Sequence, residues 1–96
     1  MKIFIHELAR KEFDEAIDWY DNQSQGLGKR FKETVIQQLK KIKKNPKWFL
    51  IEVDDIYKAY VPKFPYKILF SLDNDNIIIW AVAHMHRKPW YWQSRK

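Results

Sequence analysis

The sequence predicts an α+β fold of βααβββ order, an N-terminal strand and a helical hairpin packed on an antiparallel sheet. Three observations carry this. Apolar residues recur at helical spacing in two successive stretches of the first half. They switch to strand period in the second half. Helical and strand stretches are also segregated along the chain, which argues for helices covering one face of a sheet rather than for alternating βα units. Ninety-six residues fit one domain, 1–96.

The first strand is Lys2 to Ile5, with Ile3 and Ile5 on one side and Phe4 on the other. Ala9, Phe13, Ala16, Ile17 and Tyr20 then build one helical stripe. Glu7 and Glu12 lie towards its start, where acidic groups suit the helix dipole. Asp21-Asn22-Gln23 ends this helix. Ser24 reads as the N-cap of a second one, with Gly26 and Gly28 allowing a close turn between the two. Leu27, Phe31, Val35, Leu39 and Ile42 form the second stripe, mostly core, and Asn45-Pro46 stops it.

Trp48 to Asp55 reads as a connector in which Ile51 and Val53 offer a short edge strand. Ile56 to Val61 is a better strand, and Pro62 and Pro65 bracket the turn after it. Tyr66, Ile68, Phe70 and Leu72 alternate with Lys67, Leu69 and Ser71. After the polar turn Asp73-Asn74-Asp75-Asn76, the run to Met85 is apolar on both faces, as a central strand should be. Strict alternation puts Ile77, Ile79, Ala81 and Ala83 on one face and Ile78, Trp80, Val82 and His84 on the other.

Composition excludes several chemistries. Cysteine is absent, so there is no disulfide framework and no Cys-based metal site or nucleophile. With two glycines, the chain carries no Gly-rich phosphate loop. The N-terminus turns charged at once, and no stretch reaches the ~20 apolar residues of a membrane span. The expectation is a cytoplasmic protein without membrane association. The net charge of +6 is unevenly spread. Residues 24–47 carry eight basic side chains against one acidic, and residues 77–96 carry four against none. Such blocks attract phosphate backbones or an acidic protein partner, or serve as a solubilising helix face.

Two sets of residues carry candidate chemistry. Lys58 and Lys67 lie on successive strands and Arg87 just past the end of the last; if those strands are adjacent, the three gather on one face or rim, and His84 and His86 can join them. RNA cleavage needs a base for the 2′-hydroxyl, cations for the phosphate and an acid for the leaving oxygen, and these residue types supply all three without metal. The competing reading of Lys58 and Lys67 is as solvent-facing strand residues. His84 and His86 fall on one side of a strand but lack a third ligand, so no metal and no cofactor is expected. The second set is the tail, Pro89 to Lys96, where Trp90, Tyr91 and Trp92 precede Arg95. Aromatics beside arginines stack on bases or anchor interfaces. At least one ring should fold back on the core, since exposing three invites aggregation.

Several segments taken in order resemble a known family. They are Ala9 to Asp18-Trp19-Tyr20, Ser24-Gln25-Gly26-Leu27-Gly28-Lys29-Arg30-Phe31, Asn45-Pro46, Phe64-Pro65-Tyr66-Lys67-Ile68, and His84-Met85-His86-Arg87-Lys88-Pro89 running to Tyr91-Trp92 and Arg95. At these spacings the chain resembles the ParE branch of the RelE/ParE superfamily, the toxins of type II toxin–antitoxin (plasmid-stabilisation) modules. The family fold is a helical hairpin on an antiparallel sheet. The resemblance implies a growth-arresting inhibitor of DNA gyrase, not an enzyme in its own right, with His84, Arg87, Trp90, Trp92 and Arg95 as target contacts. It implies a cognate antitoxin whose C-terminal segment wraps the toxin, in a groove between the hairpin and the sheet, where the basic blocks suit an acidic segment.

The alternative that the resemblance carries is a RelE-like, ribosome-dependent mRNA endoribonuclease (an mRNA interferase) acting through Lys58, Lys67, His86, Arg87 and Tyr91. Tyr60 and Pro62 stand where that activity calls for further basic residues, and lysine is not a simple substitute for arginine at a phosphate. A third reading is a degenerate toxin that retains only antitoxin binding.

Overall fold

The computed structural model describes residues 1–96. Two helices lie on one face of a five-stranded sheet of order β1-β5-β4-β3-β2. The strands are β1 Lys2–Ile5, β2 Leu50–Val53, β3 Ile56–Tyr60, β4 Tyr66–Asp73 and β5 Asn76–His84, and the helices are α1 Glu7–Gln23 and α2 Leu27–Lys44. The α+β class and the element order match the sequence reading. Two details refine it. The Leu50–Val53 stretch forms a fifth strand at the sheet edge, and β1 runs parallel to β5 while the other pairings are antiparallel.

Local chemistry accounts for the helix ends. His6 caps α1 by accepting the Leu8 N–H at its Nδ1, 3.1 Å away. Ser24 was expected to start α2; instead it closes α1, its N–H donating to the Tyr20 carbonyl, and Gly26 precedes α2 with φ 85°. The left-handed backbone there suits glycine and leaves α2 without a side-chain cap of its own. Asp21 of α1 supplies the missing acceptor, taking the Gly28 N–H at 2.7 Å. A β-carbon at Gly28 would collide with the Ile17 carbonyl and the Asp21 side chain. Gly28 is thus the point of closest approach of the helical hairpin.

Ala16, Tyr20, Phe31, Val35 and Ile42 from the helices meet Ile68, Phe70, Ile77, Ile79 and Val82 from the sheet in the main core. Phe64 and Tyr66 reach up between the helices, with ring centroids 5.0 Å (Phe64–Tyr20) and 5.1 Å (Tyr66–Phe31) apart. Proline at position 65 holds these two aromatics on a turn in which the Val61 N–H donates to the Tyr66 carbonyl.

One feature of β5 overturns the expected alternation. Leu69 pairs with Ala81 but Phe70 pairs with Ile79, so Trp80 is an extra residue, a β-bulge. Beyond it the faces exchange. Ile77 and Ile79 face the helices, then Val82 does; Ala81 and Ala83 instead face the opposite side, with Ile56, Leu69 and Trp92. The sheet therefore carries a second, smaller core on the side away from the helices. The Trp80 indole N–H donates to Ser71 Oγ at 2.8 Å, which satisfies a hydroxyl buried inside the sheet.

Candidate functional site

The bulge also sets up the end of β5. Strand β1 covers only Asn76 to Ile79 of β5. Past that point the polar edge needs other partners. Glu12 of α1 provides one, accepting the Val82 N–H at 3.1 Å. Arg95 provides the other, donating to the Trp80 carbonyl at 2.9 Å. The Arg95 guanidinium also clasps both oxygens of Glu12 at 2.9 Å, and the Tyr91 hydroxyl donates to the same carboxylate at 2.6 Å. Four hydrogen bonds thus converge on one carboxylate whose side chain is 12% exposed. Together they strap the C-terminal tail across the edge of β5.

This network fixes the protonation states in the tail. Burial pushes the Tyr91 phenol well above its ordinary value, and its hydrogen bond to Glu12 pushes the same way. The hydrogen bond to Glu12 also holds Arg95 above the usual arginine value. Tyr91 remains a neutral donor locked onto Glu12, with the Arg87 guanidinium lying over its ring at 3.8 Å.

The predicted target contacts separate into two groups. Trp92 is 2% exposed and packs in the second core, so it is the ring that folds back, and it has no surface to offer a partner. Arg95 is 8% exposed and fully committed to Glu12 and the Trp80 carbonyl. Both are corrected from target contacts to structural residues, because closing a small sheet and its open edge consumes them. Trp90 is 52% exposed with φ 60°, a left-handed backbone that a bulky residue adopts only under constraint. Arg87 is half-exposed and reaches Glu12 only at 3.9 Å. His84 is half-buried at the end of β5, edge-on to Tyr66 with centroids 5.1 Å apart. Its Nδ1 accepts the His86 N–H at 3.1 Å, while His86 itself is exposed. The accessible part of the predicted surface is therefore His84, Arg87 and Trp90.

The lysines of the nuclease set are also placed. Lys58 and Lys67 share the face of the sheet away from the helices, paired in register with Leu69 and Ala83. Glu52 of β2 binds both, at 3.5 Å to Lys58 and 2.8 Å to Lys67. Lys67, Arg87 and Tyr91 line one cleft of about 140 Å³, but Lys58 does not reach it. The three cations are thus not gathered free around one point. Two charges are half-neutralised by Glu52, and the Tyr91 proton is held by Glu12.

The sequence pattern gives Glu12 a role only at the helix dipole and gives Glu52 none, yet Glu12 lies in the second turn of α1 and turns to the sheet. A signal was present: Glu12 stands three residues after Ala9 and four before Ala16, inside the apolar stripe, where a carboxylate needs a partner. Nothing in the local sequence marked Glu52.

A second, larger cleft of about 550 Å³ opens between α1 and the end of the sheet. Trp19, Tyr20, Pro65, Tyr66, His84 and Arg87 are among the residues that line it. Trp19 is 56% exposed there.

Comparison with known proteins agrees with this architecture. A solved structure titled "Chromosomal ParDE TA system from P. aeruginosa" superposes with a TM-score of 0.79, at 14% identity, covering 90% of this chain and 97% of that one. At that identity the match speaks for the fold. No curated protein matches the sequence. The family model described as the ParE toxin of the type II toxin–antitoxin system parDE matches residues 3–89. With nearly the whole chain matched, from β1 to the proline that opens the tail, this protein belongs to the ParE toxin family of type II toxin–antitoxin systems.

Proposed function

We propose that this ParE-family toxin arrests growth by inhibiting DNA gyrase, through a surface formed by His84, Arg87 and Trp90. The family implies an antitoxin partner; the finer proposal is that a cognate antitoxin neutralises the toxin by laying a segment into the aromatic cleft between α1 and the end of the sheet.

The observation that carries the reading is Trp90. A large ring held half out of the protein by a left-handed backbone, beside an arginine, is the composition of an interface anchor. The binding reading gains further support from the tying of Lys58 and Lys67 to Glu52 and of Tyr91 to Glu12, since an acid–base site needs those groups free to exchange protons. Exposed Trp19, which lines the cleft together with Tyr20 and Tyr66, favours it as the antitoxin's seat.

Induced expression in a sensitive host tests the proposal, with plasmid supercoiling and mRNA integrity followed together. Loss of supercoiling with intact mRNA is expected. Early mRNA cleavage with normal supercoiling would sink it in favour of a ribosome-dependent endoribonuclease. The absence of growth arrest would point to a toxin that retains antitoxin binding alone.

A further inference from the structure

Helix α2 presents an outer face that neither the tail nor the aromatic cleft uses. Between Lys29 and Lys47 the chain carries eight cations and one acid, Glu33, and all eight cations are exposed. Every ion pair in the protein lies elsewhere, on Arg10, Lys11, Lys58, Lys67, Arg87, Arg95 and Lys96. The cations of this helix therefore have no ion-pair partner within the protein.

Helix stability does not account for this arrangement. Lys41, Lys43 and Lys44 in the last turn complement the helix dipole. Lys29, Arg30 and Lys32 stand at the opposite end, where the dipole is positive and cations are unfavourable, and no acidic residue occupies the first turn. The dipole therefore does not explain the cations at the helix start.

A second observation gives the partner's chemistry. Pro46–Trp48 form a short 3-10 turn after α2, and Phe49 then turns inward, edge-on to Phe70 at 5.9 Å. That anchor throws Trp48 outward, to 82% exposure, the most exposed of the large apolar side chains. Lys41 and Lys44 flank the ring in a shallow groove of about 340 Å³. A solubilising lysine face gains nothing from an exposed indole. A cationic track that ends in an aromatic platform has the two parts that bind unpaired nucleotides: charge for the backbone and a ring for a base.

We propose that the outer face of α2 and Trp48 form a binding site for single-stranded nucleic acid. Lys41 and Lys44 take adjacent phosphates, Trp48 stacks on a base, and the lysines towards the helix start extend the contact along about 27 Å of helix. The site is independent of the target surface at His84, Arg87 and Trp90.

Fluorescence anisotropy with a labelled oligothymidylate of about 16 nucleotides tests this, beside a duplex of equal length and polyglutamate. The single strand should bind most tightly, with affinity falling as salt rises by a log–log slope of about −0.7 per phosphate neutralised. Trp48→Ala should weaken single-strand binding about tenfold and leave the salt slope unchanged. Lys41→Glu with Lys44→Glu should weaken it further and flatten the slope, whereas Lys11→Gln on α1 should do neither. All these positions are exposed, and circular dichroism verifies that each variant is folded. Duplex or polyglutamate binding as tight as the single strand, or an unaltered affinity in Trp48→Ala, would overturn the proposal; the first would assign the face to a duplex or to an acidic protein segment.

Discussion

The carboxylate of Glu12, in the second turn of α1, receives two parallel 2.9 Å hydrogen bonds from the guanidinium of Arg95, the next-to-last residue of the chain. Both side chains are nearly buried. The pair closes the edge of β5 where β1 stops, so it joins the first helix, the last strand and the tail in one network. Breaking such a pair from one side leaves a charge desolvated and alone, which costs about 3–5 kcal/mol. Glu12→Gln should therefore lower stability by roughly that amount, a drop of about 4–8 °C in Tm per kcal/mol for a domain of this size. Urea denaturation measures it. Replacing both partners, Glu12→Leu with Arg95→Met, should recover much of the loss, because no unpaired charge remains. A double variant no more stable than Glu12→Gln would show that the Val82 and Tyr91 hydrogen bonds matter more than the ion pair.

The same network sets a limit in alkali. Tyrosine in an unfolded chain ionises near pH ~10. Burial raises Tyr91 above that, with the Glu12 hydrogen bond adding to it, and burial also raises Tyr20 and Tyr66. Above about pH 10 the unfolded chain releases protons that the native chain keeps, so stability falls as pH rises from there; below it these groups contribute no pH dependence. Urea midpoints measured from pH 8 to 11 should be level at first and then decline. Tyr91→Phe should make the decline shallower, although it loses a hydrogen bond at neutral pH. A midpoint that stays level to pH 11 would contradict the assignment of these hydroxyls as buried.

Gly28 is the hinge of the helical hairpin in a strict steric sense. A β-carbon there meets the Ile17 carbonyl, which is backbone and has nowhere to go, and it displaces the Asp21 carboxylate that caps α2. Gly28→Ala should destabilise by about 2–3 kcal/mol through overpacking. At Gly26 nothing surrounds the missing side chain, and only the φ of 85° penalises a substitution. Gly26→Asn should thus cost no more than about 1 kcal/mol, since asparagine tolerates that conformation. Thermal unfolding of the two variants ranks them, and equal losses would refute the steric account.

Much of the fold was legible because local pattern and tertiary packing agree along both helices and along β4. The stripes through Ala16, Tyr20, Phe31, Val35 and Ile42 are the buried stripes of α1 and α2. Sequence reading failed where geometry depends on non-local partners. The bulge at Trp80 leaves an unbroken apolar run, and period alone cannot locate an extra residue in a strand that is apolar on both faces. Ser24 looked like a cap because hydroxyl residues usually are, but a glycine with positive φ and a carboxylate seven residues back from Gly28 do the work together. The tail's division into buried and exposed rings was equally hidden. Trp90, Tyr91 and Trp92 are equivalent by composition, and only the space over Ala81 and Ala83, small residues that the bulge turns to that face, selects Trp92 for burial.

That division makes the sharpest test of the target surface. Trp92 fills the second core, so Trp92→Ala should cost about 3–5 kcal/mol and abolish growth arrest simply by unfolding the protein. Trp90 touches no core, and Trp90→Ala should leave stability within about 0.5 kcal/mol. If the exposed ring anchors the target, this stable variant should nonetheless lose toxicity, and Arg87→Ala should weaken it in the same folded background. The two readouts separate cleanly, because a folding defect moves the urea midpoint whereas a lost contact does not. Toxicity that survives in folded Trp90→Ala and Arg87→Ala would move the target surface away from the end of β5. The antitoxin should still bind Trp90→Ala if its seat is the cleft between α1 and the sheet, because Arg87 lines that cleft and Trp90 does not, a result that a pull-down with the cognate partner reads directly.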